Sequence, residues 1–242
     1  MRRYILLTVS LLLTWLGAGA AEVALTPVSG HPGDVAEVTV TMRSPGDATA
    51  MELDIPMPDG VTFVPGSVAS LVSAQYSCDG NVKEGVLKIV MYSLSLNPLP
   101  EGELLKFSLK MGKNPGSFTL NPTLILSDAS GSRLTGNVSP TTATVLSPYI
   151  QTDAATVDFG RQPIRGTYTK NLTIRNTGNE TLTVEGYESS APEFVLDGTF
   201  PMEISAGSSA SLNVVYSPTQ RAASVEENIV LRSNAINGNA AV

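Results

Sequence analysis

The sequence has a single cysteine, Cys78, and a single histidine, His31, among 242 residues. Acid–base and nucleophilic catalysis and transition-metal binding rely heavily on these two residue types. One cysteine cannot form an internal disulfide, and one histidine without further cysteines does not supply the three or four ligands of a zinc site. We therefore expect a protein that binds or spaces other molecules rather than an enzyme. We predict no catalytic residue, no metal site and no cofactor.

Charged and aromatic residues are also scarce. Charged residues make up 15% of the chain and its formal net charge is -7, so a nucleic-acid partner is not expected, because phosphates require clustered Lys and Arg. The only tryptophan, Trp15, lies in the N-terminal segment described next. Few aromatic side chains are left to stack on sugar rings, which weakens direct sugar binding without excluding it.

The N-terminal segment has the three parts of a secretory signal peptide, namely a basic start, an apolar run and a small-residue cleavage site. These parts are Arg2 and Arg3, then Ile5 to Leu16, then Ala18 to Ala20. The apolar run is shorter than the roughly 20 residues of a membrane-spanning helix. We predict a signal peptide over residues 1–21 and no membrane insertion after its removal. With no disulfide available, this favours a protein that is secreted or held at the surface of a bacterium.

Apolar and polar residues alternate through most of the chain after Glu22, which is typical of half-buried strands. The clearest runs are 36–41, 51–57, 105–111, 172–175 and 212–216. Pro-Gly pairs and other turn residues separate them, and no stretch is convincingly helical. We predict an all-β protein of two tandem β-sandwiches, a first module over residues 22–147 and a second module over residues 148–242. The linker is only a few residues long, and we expect the strands of the second module to begin at Val157.

The first module resembles cohesin domains, the receptor half of cohesin–dockerin pairs. The residues that carry the resemblance are Val28 to Val35, Glu37 to Val40, Met51 to Ile55, Asp59 to Ser67, Gly85 to Ser93 and Gly102 to Met111. The resemblance covers residues 23 to 147 and implies a nine-stranded jelly-roll sandwich. We place no dockerin-contact motif on these residues, so the resemblance implies a fold without naming a partner.

The second module resembles immunoglobulin-like domains of the choice-of-anchor D and ASH group. The matching residues are Val157 to Gly160, Gly166, Leu172 to Asn179, Leu182 to Val184, Phe194, Gly207 to Ser208, Val214 to Pro218 and Ser233 to Asn234. The resemblance implies that Asn176, Thr177 and Gly178 make a tight turn between paired strands, with the glycine at positive φ. The chain ends about where a last strand should begin. We therefore expect that strand to be missing or short, because the chain is a fragment or because something else supplies it.

A candidate binding face follows from the alternation at residues 87–92. If Leu87, Ile89 and Met91 are core residues, then Lys88, Val90 and Tyr92 share the outer face of the sheet. We predict partner contact at these three residues, unless neighbouring strands or loops cover the face. The partner would be a protein, either dockerin-like or another surface protein, or a polysaccharide. The expected function is scaffolding or adhesion with the second module as a spacer, and the alternative is a carbohydrate-binding accessory module of a bacterial surface glycan-degrading system.

Other candidate sites have simpler explanations. His31 lies in a turn beside Pro32, where we expect an exposed residue. Asp79 to Asn81, Asp128 and Asp153 are candidates for calcium, but no loop has the spacing of acidic residues that provides six to eight oxygen ligands. We expect these side chains to hydrogen-bond their own turns.

Overall fold

The computed structural model describes residues 20–221 and 225–242. This described part consists of β-strands, turns and coil without a helix, which confirms the all-β prediction. Nowhere in these two ranges is there a helix with the length and apolarity needed to cross a bilayer. Residues 1–19, which hold nearly all of the predicted signal peptide, lie outside the described residues.

The first module contains fourteen strand segments. They are β1 (Ala21–Leu25), β2 (Val28–Gly30), β3 (Val35–Arg43), β4 (Ala50–Pro56), β5 (Val61–Phe63), β6 (Ala69–Ser70), β7 (Tyr76–Lys83), β8 (Val86–Ser93), β9 (Gly102–Met111), β10 (Gly116–Leu120), β11 (Thr123–Ser127), β12 (Arg133–Leu134), β13 (Gly136–Val138) and β14 (Thr141–Val145). The segments outnumber the nine strands that the resemblance implies, because several of them are only two or three residues long.

These strands form three sheets around one core. A six-stranded sheet has the order β13-β1-β3-β9-β5, with β6 also paired to β9; a three-stranded sheet has the order β10-β14-β2, and a five-stranded sheet has the order β12-β11-β4-β8-β7. Buried side chains from all three sheets form one apolar cluster, which includes Val38, Leu53, Ile89, Phe107 and Val145. Each fully buried aliphatic side chain contributes about 1.5–3 kcal/mol, so this shared core holds the sheets face to face.

The second module contains eight strands in two four-stranded sheets. They are β15 (Ile150–Thr152), β16 (Tyr168–Asn176), β17 (Leu182–Glu188), β18 (Phe194–Asp197), β19 (Met202–Ile204), β20 (Ser209–Tyr216), β21 (Val230–Ser233) and β22 (Ala240–Ala241). The sheet orders are β15-β16-β20-β18 and β19-β17-β21-β22. Their facing side chains form a second, separate core that includes Leu172, Leu182, Leu212 and Leu231. The last strand, β22, is two residues long.

Two local expectations for the second module are wrong. The first strand is β15, which pairs with β16 ahead of Val157, and Val157 itself lies in coil against the core. The Asn176 to Gly178 turn joins β16 to β17, which belong to different sheets, and Gly178 does not have a positive φ. A glycine is needed there for another reason. A Cβ atom on Gly178 would overlap the carbonyl oxygen of Ser147 in the linker between the modules.

Candidate functional site

Strand β8 turns one face toward the first core and the other toward solvent. Three alternate side chains are fully buried: Leu87, Ile89 and Met91. Because successive side chains of a strand point to opposite faces, Lys88, Val90 and Tyr92 lie on the outer face of the five-stranded sheet. Val90 is 37% exposed and Tyr92 is 43% exposed, so solvent reaches both apolar side chains. Binding of a partner at these residues stays a prediction.

The register of the sheet fixes the surroundings of these three side chains. Tyr92 lies between Ala50 and Ser77, Val90 lies between Glu52 and Asp79, and Lys88 lies between Asp54 and Asn81. Small residues therefore flank the ring of Tyr92, whereas carboxylates flank Val90. The result is a surface on which the apolar side chains of β8 are interleaved with charged ones.

Ile125 on β11 extends this surface, and the sequence reasoning missed it. It lies opposite Glu52 in the register between β11 and β4 and is 40% exposed. Its neighbour Leu126 points inward and is buried, so apolar residues occupy both faces of this strand. The run Leu124-Ile125-Leu126 carries the signal that was available, because a strand with one solvated face normally alternates with polar residues.

The loop after β8 adds two exposed leucines, Leu94 and Leu96, at 64% and 60% exposure. The amide of Leu94 donates to the Gln75 carbonyl at 2.8 Å, which continues the ladder beyond the end of β7. The amide of Asn97 donates to Ser93 Oγ at 2.8 Å, so hydrogen bonds hold the loop on both sides of the leucines. Val90, Tyr92, Leu94, Leu96 and Ile125 are called the apolar patch below.

The charges beside the apolar patch are paired in part. Lys88 Nζ lies 2.5 Å from Asp54 Oδ2 and 3.4 Å from Glu52 Oε1. The hydrogen bond to Asp54 raises the pKa of Lys88, and partial loss of water around the ammonium opposes that rise. Asp79 also lies on this face, and the register places the exposed cations Arg133 and Lys83 there as well. Charges of both signs are therefore mixed around the patch, which favours a partner whose charged side chains complement this pattern.

The outer face of the six-stranded sheet has a different character. Lys106 on β9 pairs with Glu37 on β3 at 2.8 Å, and hydroxyl side chains such as Thr39 and Ser108 lie beside the pair. Apart from Val35, which is 60% exposed at the start of β3, these residues are readily solvated and offer little apolar area to a partner. The two broad faces of the first module are thus clearly unequal.

The acidic residues considered for calcium accept hydrogen bonds from backbone amides instead: Asp79 and Asp128 do so within their own turns, as expected, whereas Asp153 differs and accepts from β16. Their side chains accept hydrogen bonds as follows: Asp79 from the Gly80 amide, Asp128 from the Ser130 and Ser132 amides and the Ser130 hydroxyl, and Asp153 from the Thr173 amide. Hydrogen bonding to the Ser130 side chain and then to the Ser132 amide lowers the pKa of Asp128, and hydrogen bonding to the Thr173 side chain and then to its amide lowers the pKa of Asp153. Within residues 20–221 and 225–242, no group of three or more His, Cys, Asp or Glu side chains is arranged to hold a metal ion.

His31 and Cys78 lie in different environments. The side chain of His31 is 62% exposed in the turn between β2 and β3, and its Nε2 lies 3.2 Å from Glu180 Oε1 of the second module. Cys78 is half-buried on β7, and burial, with a smaller contribution from the charge of Asp79, raises the pKa of its thiol. A thiol with a raised pKa is a weaker nucleophile at neutral pH.

A wide cleft of about 1830 Å³ lies in the second module beside an aromatic cluster. Phe194 and Tyr216 stack with ring centroids 4.5 Å apart, and Phe159 leans against both rings. These aromatic faces pack mainly on one another. Tyr92 is the one aromatic residue among the exposed large apolar side chains of the described residues.

Structural comparison finds solved cohesin domains similar to the first half of the chain. A non-cellulosomal cohesin from the hyperthermophilic archaeon Archaeoglobus fulgidus is 13% identical and covers 53% of this chain and 93% of its own, with a TM-score of 0.46. The cohesin CaCohA2 from Clostridium acetobutylicum is 20% identical, with coverages of 52% and 90% and a TM-score of 0.43. A type I cohesin–dockerin complex from Clostridium thermocellum is 15% identical, with coverages of 53% and 100% and a TM-score of 0.44.

Sequence comparison separates the two halves of the chain. No match is found among curated protein sequences. Residues 148–241 match the family model described as the HYDIN/CFA65/VesB-like Ig-like domain. The chain is thus similar to cohesin domains in its first part and to this immunoglobulin-like family in its second part.

Proposed function

We propose that this protein is a non-enzymatic binding module, exported to the cell surface or beyond, that holds a protein partner on the apolar patch. One observation carries the proposal. Of the twelve large apolar side chains exposed in the described residues, five belong to this patch. Clustered exposed apolar side chains with a polar border are typical of protein-interaction surfaces, whereas scattered single ones are normal on any protein.

The composition of the patch favours a protein over a polysaccharide. Flat sugar-binding surfaces rely on aromatic rings, and this patch has one ring, Tyr92, among aliphatic side chains. Aliphatic residues such as Leu94 and Ile125 instead bury well against the apolar side chains of a protein. Charged side chains of both signs on this face, among them Glu52, Asp79 and Arg133, favour a partner segment whose charges complement this pattern.

The test is capture of secreted proteins by the immobilised chain, residues 21–242, with bound proteins identified by mass spectrometry. The decisive variant carries Val90→Ser, Tyr92→Ser and Ile125→Ser. We expect a partner that binds the native chain and loses at least tenfold in affinity with this variant. Val35→Ser, at a side chain 60% exposed outside the patch, and Val195→Ser in the second module are the matched controls.

Two results would overturn the proposal. The first is a partner whose affinity is the same for the native chain and for the triple variant. The second is a clear hit on a glycan array with no captured protein, which would support the polysaccharide-binding alternative. In that case Tyr92→Ser alone should abolish the glycan signal.

A further inference from the structure

The linker between β14 and β15 is hydrogen-bonded to both modules, through the Leu146 amide to Gly30 of the first module and through residues 147–149 to the second. The amide of Asn179 donates to the Ser147 carbonyl at 3.0 Å, and the amide of Thr177 donates to the Tyr149 carbonyl at 2.9 Å. Ile236 donates to the Pro148 carbonyl at 3.2 Å, and Ser147 is only 3% exposed. A flexible linker leaves its backbone groups to water, so this segment is an integral part of the fold.

The side chain of Asn179 reaches across to the first module. Its Oδ1 accepts a hydrogen bond from the Ser147 amide at 2.8 Å, and its Nδ2 donates to the Val145 carbonyl at 2.8 Å. Val145 is the last residue of β14, is fully buried, and pairs with Gly30 of β2. A carboxamide of the second module thus binds a backbone carbonyl that the core of the first module holds in place.

Asn176 fixes the turn from which Asn179 projects. It is fully buried, and its Nδ2 donates to the carbonyls of Glu180 and Ile204 at 2.6 and 2.9 Å. Its Oδ1 accepts from the amides of Gly178 and Tyr149 at 3.0 and 3.3 Å. One side chain therefore ties the turn both to the second core and to the linker.

Two further contacts close the junction. The linker backbone passes so near Gly178 that a Cβ atom there would overlap Ser147. Two residues after Gly178, the Glu180 carboxylate contacts His31 of the first module, and His31 Nε2 lies 3.2 Å from Glu180 Oε1. The His31 contact lies outside the linker, so it restrains rotation that a single connecting chain would permit.

We propose that the turn at residues 176–180 is a clamp that locks the two modules at one fixed angle, with Asn179 as its positioning residue. The clamp does not depend on what the first module binds. Its use, which is to present the apolar patch in a constant direction, rests on the proposed function. With the clamp, the second module acts as a rigid support that fixes the orientation of the first module.

The first test measures residual dipolar couplings of the native chain, residues 21–242, with no partner present. If the clamp holds, the amides of both modules fit a single alignment tensor. Two tensors of different magnitude would overturn the proposal. Because no partner is involved, this result is independent of whether the apolar patch binds a protein. No substitution is involved either, so the measurement decides rigidity even if a variant fails to fold.

The second test assigns the clamp to Asn179. Asn179→Asp keeps the acceptor for the Ser147 amide but places an oxygen opposite the Val145 carbonyl. We expect at least a twofold difference between the alignment magnitudes of the two modules, with native chemical shifts in both cores. Asn213→Asp, the same change at an exposed residue of β20, should keep one tensor. A single tensor for Asn179→Asp would remove Asn179 from the proposal.

Discussion

The side-chain amide of Asn176 donates a 2.9 Å hydrogen bond to the backbone carbonyl of Ile204 inside the second module. Asn176 ends β16 and Ile204 ends β19, and these strands belong to opposite sheets of the sandwich. Asn176 is fully buried, so this polar contact between the sheets lies within an otherwise apolar interior. This hydrogen bond matters for stability because the buried Ile204 carbonyl would otherwise lack a donor, which costs free energy.

Asn176→Ala should destabilise the second module. The substitution leaves buried backbone groups unpaired, including the Ile204 carbonyl, and such groups cost about 1–3 kcal/mol each. Urea unfolding followed by amide signals of each module should show an earlier transition for the second module. Asn171→Ala, at an exposed residue of the same strand, should be nearly neutral. Equal transitions for the two variants would contradict the assigned role.

Truncation of two adjacent residues of β8 should lower the free energy of unfolding of the first module by very different amounts. Ile89 is fully buried, so Ile89→Ala should lower the free energy of unfolding of the first module by about 2–5 kcal/mol. Val90 is 37% exposed, so Val90→Ala should change it by less than about 0.5 kcal/mol. Chemical denaturation of both variants measures the contrast. A large decrease in the free energy of unfolding for Val90→Ala would mean that other residues pack on the Val90 side chain.

The loop of Asp128 should lose its order only in acid. Hydrogen bonds from Ser130 and Ser132 lower the pKa of Asp128 below its ordinary value of 3.8. The carboxylate therefore contributes stability that is present above pH 3.8 and is lost as the pH falls through the lowered folded pKa. In an NMR titration, the amide signals of Ser130 and Ser132 should move with a midpoint below 3.8. Asp128→Asn keeps an acceptor oxygen and should abolish this step, whereas a midpoint above 3.8 would contradict the geometry.

Lys88 should matter for stability through its charge. Its pKa is raised by the hydrogen bond to Asp54, so its contribution is complete at pH 7 and is lost only as the pH rises through that raised value. We expect the melting temperature to fall in the order native, Lys88→Met, Lys88→Glu at low ionic strength. About 1 M salt should shrink the differences, because screening then acts over about 3 Å. Differences independent of salt would indicate a packing role instead.

The predicted signal peptide over residues 1–21 can be tested by expressing the full chain and recovering any exported protein. We expect intact mass and N-terminal sequencing to show a mature chain that begins at Ala21 or Glu22. Ala21 is buried and pairs with Gly136 at the start of β1, so removal before Ala21 keeps the whole strand. A mature chain that retains Trp15 would contradict the predicted signal peptide.

The strand pattern was accessible from the sequence where one face is buried and the other solvated. The alternation of Leu87, Ile89 and Met91 with Lys88 and Tyr92 predicts β8 correctly, because a period of two puts each set on one face. The prediction that strands of the second module begin at Val157 is wrong, because this residue lies in coil. A single apolar residue in coil can pack on a core as Val157 does, and periodicity does not distinguish the two cases.

The candidate site was accessible only in part. Lys88, Val90 and Tyr92 were placed on a shared outer face by their spacing within one strand. The run Leu124-Ile125-Leu126 indicates an apolar residue on the outer face of β11, but the proximity of Ile125 to Val90 depends on the pairing of β11 with β4 and of β4 with β8. That strand order is a long-range property, and no local pattern near residue 125 encodes it.

The sequence by itself determined the all-β character, the alternation within strands and the two resemblances, because each depends on the order of neighbouring residues. Tertiary structure decided how the Asn-Thr-Gly turn is used. The turn joins two sheets, and its glycine makes room for the linker rather than adopting a positive φ. The reason is physical: Asn179 and Val145 are 34 residues apart in the sequence, and only the folded chain brings the donor of one within 2.8 Å of the carbonyl of the other.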